Sequence, residues 1–417
     1  MTADDIKYIE ELCINAKKAS KIAANLKTVE KNNILFKIAK KILDNKDYII
    51  SENKKDLKEA EATGIAPAML DRLLLNEKRI DDIAKSVEDI ARFTDPIGRI
   101  ENMKVVPSGI RVGQMRVPLG VIAAIYEARP NVTVDIAALC IKSGNVSILR
   151  GGQEAFNSNM AFGRLITESL KESGVSEYIV NVINRTSREL VPPLLKMDKY
   201  IDMVIPRGGE GLIKMVVQES TIPVLRHERG LCHVFVDESA NRDFAEKITI
   251  NAKVQRPTVC NAAETLLIHE NYPYKRELIQ ALIDHNVEIR GCEKTQRLHE
   301  KVKAATEVDW DMEYLDLIIS VKIVSSLDEA LEHIARYSSG HTETIITANY
   351  YNSERFLKEV DSAAVMVNAS TRFHDGGEFG LGAEVGISTQ KLHARGAMGI
   401  EGLTTLKYIV YGNGETR

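Results

Sequence analysis

The 417-residue sequence is short of aromatics, with one tryptophan, and short of proline, with 11; it has five cysteines but no Cys-x-x-Cys pair, and no His-Glu-x-x-His. Cys13, Cys140, Cys232, Cys260 and Cys292 are odd in number and widely spaced, which argues against a disulfide framework, and without clustered ligands no metal site is expected. No apolar run reaches membrane-spanning length, and the opening Thr2-Ala3-Asp4-Asp5 lacks the basic start and apolar stretch of a signal peptide. A cytoplasmic protein without a membrane partner is therefore expected. Charge of one sign is lacking too: 55 Lys and Arg against 59 Asp and Glu leave a formal net charge of -4, without the basic excess that nucleic acid calls for. What is present, 44% apolar and 27% charged residues with 26 glycines, is the composition of a globular chain. It is too long for one core, so two or three domains are predicted.

Residues 4 to 94 carry apolar side chains at helical spacing, among them Ile34, Ile38 and Ile42, then Ile80, Ile83, Val87 and Ile90, and predict a helical layer. Asp95-Pro96-Ile97-Gly98 ends it. From Arg111 to Val117 polar and apolar residues alternate, as in a half-exposed strand at an edge or interface. Val121 to Tyr126 and Val146 to Leu149 are short apolar runs separated by a helical segment from Val132 to Lys142, which reads as a parallel pair with a crossover. The alternation continues through a helix near 155 to 173, a strand near Tyr178 to Ile183, a helix near 188 to 196 and a strand from Ile201 to Ile205. This is an α/β, doubly wound, nucleotide-binding pattern. A second α/β block starts after about residue 225, with strands at Cys232 to Val236 and Thr265 to Ile268 and helices near 241 to 253 and 274 to 285. The tail from 401 to 411 returns to strand character.

Three segments carry chemistry. Strand Ile201 to Ile205 runs into Pro206-Arg207-Gly208-Gly209-Glu210-Gly211 and then a helix, so the N-H groups of Gly208, Gly209 and Glu210 would approach a phosphate at a helix N-terminus. The spacing is not G-x-G-x-x-G, and a plain tight turn would look the same. Arg150 ends a nucleotide-side strand, where a cation suits the 2′-phosphate of NADP; a surface arginine beside a glycine turn is the alternative. Gln255-Arg256-Pro257-Thr258-Val259-Cys260-Asn261 puts Cys260 in a loop between a helix and a strand, the usual seat of a nucleophile, with Arg256 near enough in sequence to favour a thiolate. The other four cysteines are expected to be small buried hydrophobes. A last stretch, Val367 to Gly396, is too rich in Gly, Arg, Ser and Thr to be core, and reads as a surface segment or an anion-binding loop system.

Tyr126-Glu127-Ala128-Arg129-Pro130-Asn131-Val132-Thr133, Met203 to Gly211, Thr258 to Leu266 and Val367 to Gly396 together resemble the aldehyde dehydrogenase superfamily, and the resemblance spans nearly the whole chain. It implies a Rossmann-like NADPH-binding domain over 1–100 and 121–225, a catalytic α/β domain over 226–400, and a small β oligomerisation flap from 101–120 and 401–417. The implied reaction is reduction of L-glutamyl 5-phosphate to L-glutamate 5-semialdehyde, the second step of proline biosynthesis from glutamate, through a Cys260 thioester. Asn131 and Asn261 become candidates for stabilising the oxyanion, and Glu313 for the nicotinamide ribose. Ser370, Thr371 and Arg372 are implied to hold the substrate carboxylate, and Arg256, His393 and Arg395 its phosphate. A homodimer or tetramer is implied, with glutamate 5-kinase as a functional neighbour. Three positions depart from the family pattern: Arg226-His227-Glu228-Arg229-Gly230 in place of a glycine-rich turn, Thr258 for a smaller residue and Ala397 for proline. Two other readings stay open, a hydrolytic NAD(P)-dependent aldehyde dehydrogenase and a non-enzymatic scaffold partnering the kinase.

Overall fold

In a computed structural model that describes residues 2–65, 67–226, 229–381 and 383–417, the chain forms two compact units, Met1–Arg226 with Gly380–Gly386 and Met398–Arg417, and His227–Phe379 with Ile387–Ala397. The expected helical layer consists of Ala3–Ala23, Thr28–Asp44, Lys46–Ala62, Pro67–Leu73 and Glu77–Arg92. The last of these shows why the spacing was informative. Ile80, Ile83, Ala84, Val87, Ile90 and Ala91 are all buried on one stripe, and the Asn76 side chain caps the helix by accepting from the Arg79 N-H at 2.9 Å.

Four parallel strands follow in the order Val180–Val182, Val146–Arg150, Val121–Tyr126, Met203–Arg207. All six residues of Val121–Tyr126 are buried, so the run lacks the alternation of a one-sided strand, as it must when helices cover both faces. Two expected elements are shorter than their apolar patterns. The strand near 178 to 183 is reduced to Val180–Val182 by a 3-10 turn over Glu177–Ile179, started by Ser176, whose hydroxyl accepts from the Tyr178 N-H. The helix near 188 to 196 is a 3-10 turn, Arg188–Leu190, and one α turn, Val191–Leu194; Pro192 and Pro193 supply no N-H there, so few helical bonds can form.

Ile100–Val105, Arg111–Pro118 and Thr404–Tyr411 make a separate three-stranded antiparallel sheet with Arg111–Pro118 in the middle. Residues 380–386 and 398–400, expected with the catalytic part, pack with the first unit: Val385 N-H donates to Met398 O at 2.9 Å and Met398 N-H to Gly386 O at 2.8 Å.

The second unit is built on seven parallel strands ordered Lys303–Ala304, Glu288–Gly291, Ile318–Val324, Ala263–His269, Cys232–Val236, Thr342–Ile346, Ala364–Val367. Ala263–His269, Cys232–Val236 and Thr342–Ile346 are buried throughout. Helices Arg242–Val254 and Lys275–Asp284 supply Ala245, Ala252, Leu278, Ile279 and Leu282 to the core on one face, while Ile334 and Phe356 belong to a second core cluster. Among the described residues no helix is long and apolar enough to cross a membrane.

Candidate active site

Cys260 lies in the turn between helix Arg242–Val254 and strand Ala263–His269, closed by the Ala262 N-H donating to Val259 O at 3.0 Å. It is half-buried, whereas Cys13, Cys140 and Cys232 are buried. Burial pushes the Cys13 thiol up to about 12 and raises Cys140 and Cys232 further, so these three stay protonated and unreactive at neutral pH. Cys292 is half-buried as well, not fully buried as expected; its sulfur lies 3.3 Å from Thr295 Oγ1 and accepts from the Ile323 N-H at 3.4 Å. It is a packing residue on a neighbouring strand end.

The segment before strand Cys232–Val236 runs directly against the Cys260 backbone. A Cβ on Gly230 would stand 1.9 Å from Cys260 O and 2.4 Å from its C and Cα, so only glycine fits. Of the Arg226–Gly230 departure, the glycine that the fold requires is therefore kept. His227 and Glu228 in that departure, and Gly382 in the later glycine-rich stretch, lie outside the described residues. Next along, the Cys232 thiol donates to Cys260 O at 3.2 Å and sits 3.6 Å from His341 Nδ1. Gly230 and the Cys232 contact were not legible as site features. The only available signal was a glycine two residues ahead of a buried cysteine.

The Cys260 turn is stitched to the turn at 370–374. Thr371 Oγ1 donates to Asn261 O at 2.7 Å, and Asn261 Nδ2 donates to His374 O at 3.0 Å, with Arg372 O at 3.5 Å. Asn261 is buried and its amide nitrogen is thus committed to backbone carbonyls; it braces the loop, and an oxyanion role would require these bonds to break. Ser370 caps the turn by accepting from the Arg372 N-H. Asn368 anchors it from the other side in the left-handed region, φ 54°, a conformation that asparagine tolerates, with both ends of its amide bonded to the Thr347 backbone. The Thr342 hydroxyl lies 2.7 Å from both His341 Nδ1 and His374 Nδ1, and burial lowers His374 to about 4, so it is neutral.

Arg372 is brought to the cysteine side of this unit, its Nε donating to Gln255 Oε1 at 2.8 Å. Burial lowers its pKa, nearby Arg256 lowers it further, and Asp375 and Cys260 act in the opposite sense. Among the described residues neither Arg256 nor Arg372 has a carboxylate at ion-pair distance. Arg395 is different: its Nη1 donates to Asp361 Oδ1 at 2.7 Å and its Nη2 to Asp361 O at 2.9 Å. That pairing neutralises the cation expected to meet a phosphate. His393 is exposed.

Glu313 accepts from the Gly230 N-H at 2.9 Å, which ties its loop to the segment pressed against Cys260. Leu315 in that loop is held at φ 53°, strained for a leucine, and its N-H donates to Glu264 Oε1 at 3.3 Å. Glu264 is fully buried against Lys253 at 2.7 Å, with burial pushing its carboxyl up to about 7. The pair sits where the helix before Cys260 meets the strand after it.

The nucleotide-side residues belong to the first unit. Arg150 is buried; its Nη2 donates to Thr186 O at 3.2 Å and Ser187 O at 3.4 Å, while its Nε has no partner, and Glu154 buries an equally unpartnered Oε2. Orphaned buried groups of opposite sign at a strand end fit a phosphorylated ribose, whose phosphate and hydroxyl would satisfy them. Gly208 and Gly209 lead into helix Glu210–Glu219, with the Gly209 N-H donating to Glu127 Oε2 at 2.9 Å. A Cβ on Gly208 would meet the same carboxylate at 2.5 Å. The amide expected to approach a phosphate thus already has an acidic partner, and Glu210 pairs with Lys214 at 2.7 Å. Asn131 donates to Asp135 Oδ2 at 2.9 Å, a carboxyl that burial raises to about 6.

The α/β chain with its two parallel sheets matches the aldehyde dehydrogenase family profile over residues 1–297; the chain belongs to that family. The gamma-glutamyl phosphate reductase of Clostridium botulinum (strain Alaska E43 / Type E3) is 54% identical over 404 residues, 96% of this chain and 98% of that protein. That of Caldanaerobacter subterraneus subsp. tengcongensis is 52% identical over 411 residues, 98% of this chain and 99% of the relative. The crystal structure of the Thermotoga maritima gamma-glutamyl phosphate reductase superposes with a TM-score of 0.95 at 47% identity, covering 98% of this chain and 99% of that one. Within its family the chain stands among the gamma-glutamyl phosphate reductases.

Proposed function

We propose that this chain reduces L-glutamyl 5-phosphate to L-glutamate 5-semialdehyde with NADPH, through a thioester on Cys260. The observation that carries the reading is the end-to-end similarity to reductases of that name, joined to a half-buried cysteine whose loop and neighbouring turn carry two arginines, Arg256 and Arg372, without a carboxylate at ion-pair distance among the described residues. An acyl phosphate is an activated acyl donor. The Cys260 sulfur attacks its carbonyl carbon, the bond to the phosphate oxygen breaks, and inorganic phosphate leaves with its charge screened by Arg256. The dinucleotide, when bound, supplies a hydride to the acyl carbon. The carbon–sulfur bond then breaks, and Cys260 returns as the thiolate while the aldehyde is released. Ser370, Thr371 and Arg372 hold the carboxylate end in this reading. Arg150 and the Gly208-Gly209-Glu210 turn belong to the nucleotide. The sheet Ile100–Val105, Arg111–Pro118, Thr404–Tyr411 is assigned to self-association, and the protein to the cytoplasm beside glutamate 5-kinase.

Two measurements check this. Run in reverse, NADP reduction by the semialdehyde is expected to require phosphate or arsenate, because thioester cleavage by phosphate is the return path; equal rates without either anion would make the enzyme a hydrolytic dehydrogenase. For the cofactor, Arg150→Gln is expected to raise the KM for NADPH about 10- to 100-fold, the value of one charge-assisted hydrogen bond. The KM for NADH, which has no 2′-phosphate, should move far less, and parallel rises in both would remove Arg150 from phosphate recognition.

A further inference from the structure

Gln255 stands at the C-terminal cap of helix Arg242–Val254, immediately before the segment leading to Cys260, and accepts from the Nε of a residue 117 positions away, Arg372, at 2.8 Å. Other arginines of this chain bond to carboxylates: Arg290 to Asp309, Arg355 to Glu359 and Asp328, Arg395 to Asp361. Arg372 is held by a neutral amide. Arg256, the residue after the Gln255 that holds Arg372, has no ion-pair partner among the described residues, and its charge opposes that of Arg372. Asp375 offsets part of that repulsion without forming an ion pair to either cation, and an arriving anion relieves the rest. A glutamate in place of Gln255 would orient the guanidinium equally well and cancel one of the charges.

We infer that Gln255 is a positioning residue, fixing the Arg372 guanidinium through an uncharged hydrogen bond so that Arg372 and Arg256 both keep their charge for the anionic end of the substrate. The inference rests on the proposed function in taking that anion to be the substrate's carboxylate or phosphate. The geometry is specific. The Nε bond leaves the two terminal nitrogens of Arg372 to form the planar fork that grips an oxyanion, a geometry that lysine could not reproduce.

The test separates charge from shape. Alkylation of Cys260 by iodoacetate, an anion, and by iodoacetamide, its neutral analogue, is followed on the Cys260 peptide by mass spectrometry in the full chain. Gln255→Glu is expected to lower the iodoacetate-to-iodoacetamide rate ratio about fivefold, since one added charge at this range offsets one guanidinium, with the iodoacetamide rate nearly unchanged. The same variant should raise the KM of the semialdehyde or of phosphate in the reverse reaction more than it lowers kcat. Gln255→Leu should leave the rate ratio near its starting value but raise those KM values, because the charge stays and its orientation is lost. If Gln255→Glu slows both reagents equally, Gln255 is only structural and the inference fails. If Arg372→Ala lowers the ratio while Gln255→Glu leaves it unchanged, the inference fails but the anion site stands. If Arg372→Ala leaves the ratio unchanged, the anion site itself is wrong.

Discussion

Replacement of Cys260 by alanine is expected to lower kcat by about four orders of magnitude or more, the scale seen when a covalent nucleophile is deleted and only binding and positioning remain. Three of the other cysteines cannot substitute, because Cys13, Cys140 and Cys232 are buried with raised thiol pKa values, and Cys292 is engaged with Thr295 and the Ile323 N-H. The variant should keep its thermal stability, since a half-buried side chain is shortened by a single atom and no hydrogen bond of the Asn261–Thr371 stitch depends on it. Serine at the same position is the sharper control. Its hydroxyl is far less acidic than a thiol, so it should be almost as inactive as alanine. Mixing the wild type with an acyl phosphate in the absence of dinucleotide should release close to one phosphate per active site in a burst, and the alanine variant none. A burst of equal size from Cys260→Ala would place the acyl transfer elsewhere.

The sequence was most readable where local physics decides. Val121–Tyr126 and Cys232–Val236 emerge as strands at their expected places because an unbroken apolar run between turn residues has few other uses. Glu77–Arg92 carries its helical stripe in plain sight. The helix expected near 188 to 196 shrinks to Val191–Leu194 because Pro192 and Pro193 supply no N-H groups. The site divides in the same way. Cys260 could be picked out by its place between a helix and a strand, but its surroundings are made by residues distant in sequence. Arg372 finds Gln255, Asn261 spends its amide on His374, and Arg395 pairs with Asp361 34 positions earlier. Residue type and local spacing say nothing about such pairings. They show which arginines are present, and only the fold decides which of them remain uncompensated.

That distinction also narrows the mechanism. Of the cations proposed to meet the substrate, Arg395 is ion-paired to a carboxylate, while among the described residues Arg256 and Arg372 have none at ion-pair distance, so in the proposed reading the pull on an acyl phosphate comes from the Cys260 loop and the 370–374 turn. The braces below them carry no net charge of their own: Lys253 and Glu264 cancel, and His374 is neutral.

Gly230→Ala is expected to be the most damaging change outside the nucleophile itself. The added methyl would stand 1.9 Å from Cys260 O, and the atoms it meets are backbone, not the end of a flexible side chain. Something rigid must therefore move by about 1 Å, whether the Cys260 turn or the segment leading to strand Cys232–Val236, and a misplacement of that size can cost about 100-fold in rate. Either movement strains bonds that define the site. Gly230 donates to Glu313 and the Cys232 thiol donates to Cys260 O, so displacing 230–232 disturbs the Glu313 loop, and displacing the turn shifts the sulfur. The stability cost should be about 1–3 kcal/mol, as for overpacking elsewhere, large enough to lower the melting temperature by several degrees and small enough to leave a folded protein to assay. The decisive measurement is the rate of Cys260 alkylation by iodoacetamide in the folded variant alongside kcat/KM. A drop of about 100-fold in kcat/KM with an altered alkylation rate would mean that Gly230 acts by fixing the position of the sulfur. Unchanged values for both would mean that the contact yields without cost and that the turn is not locked by glycine at all.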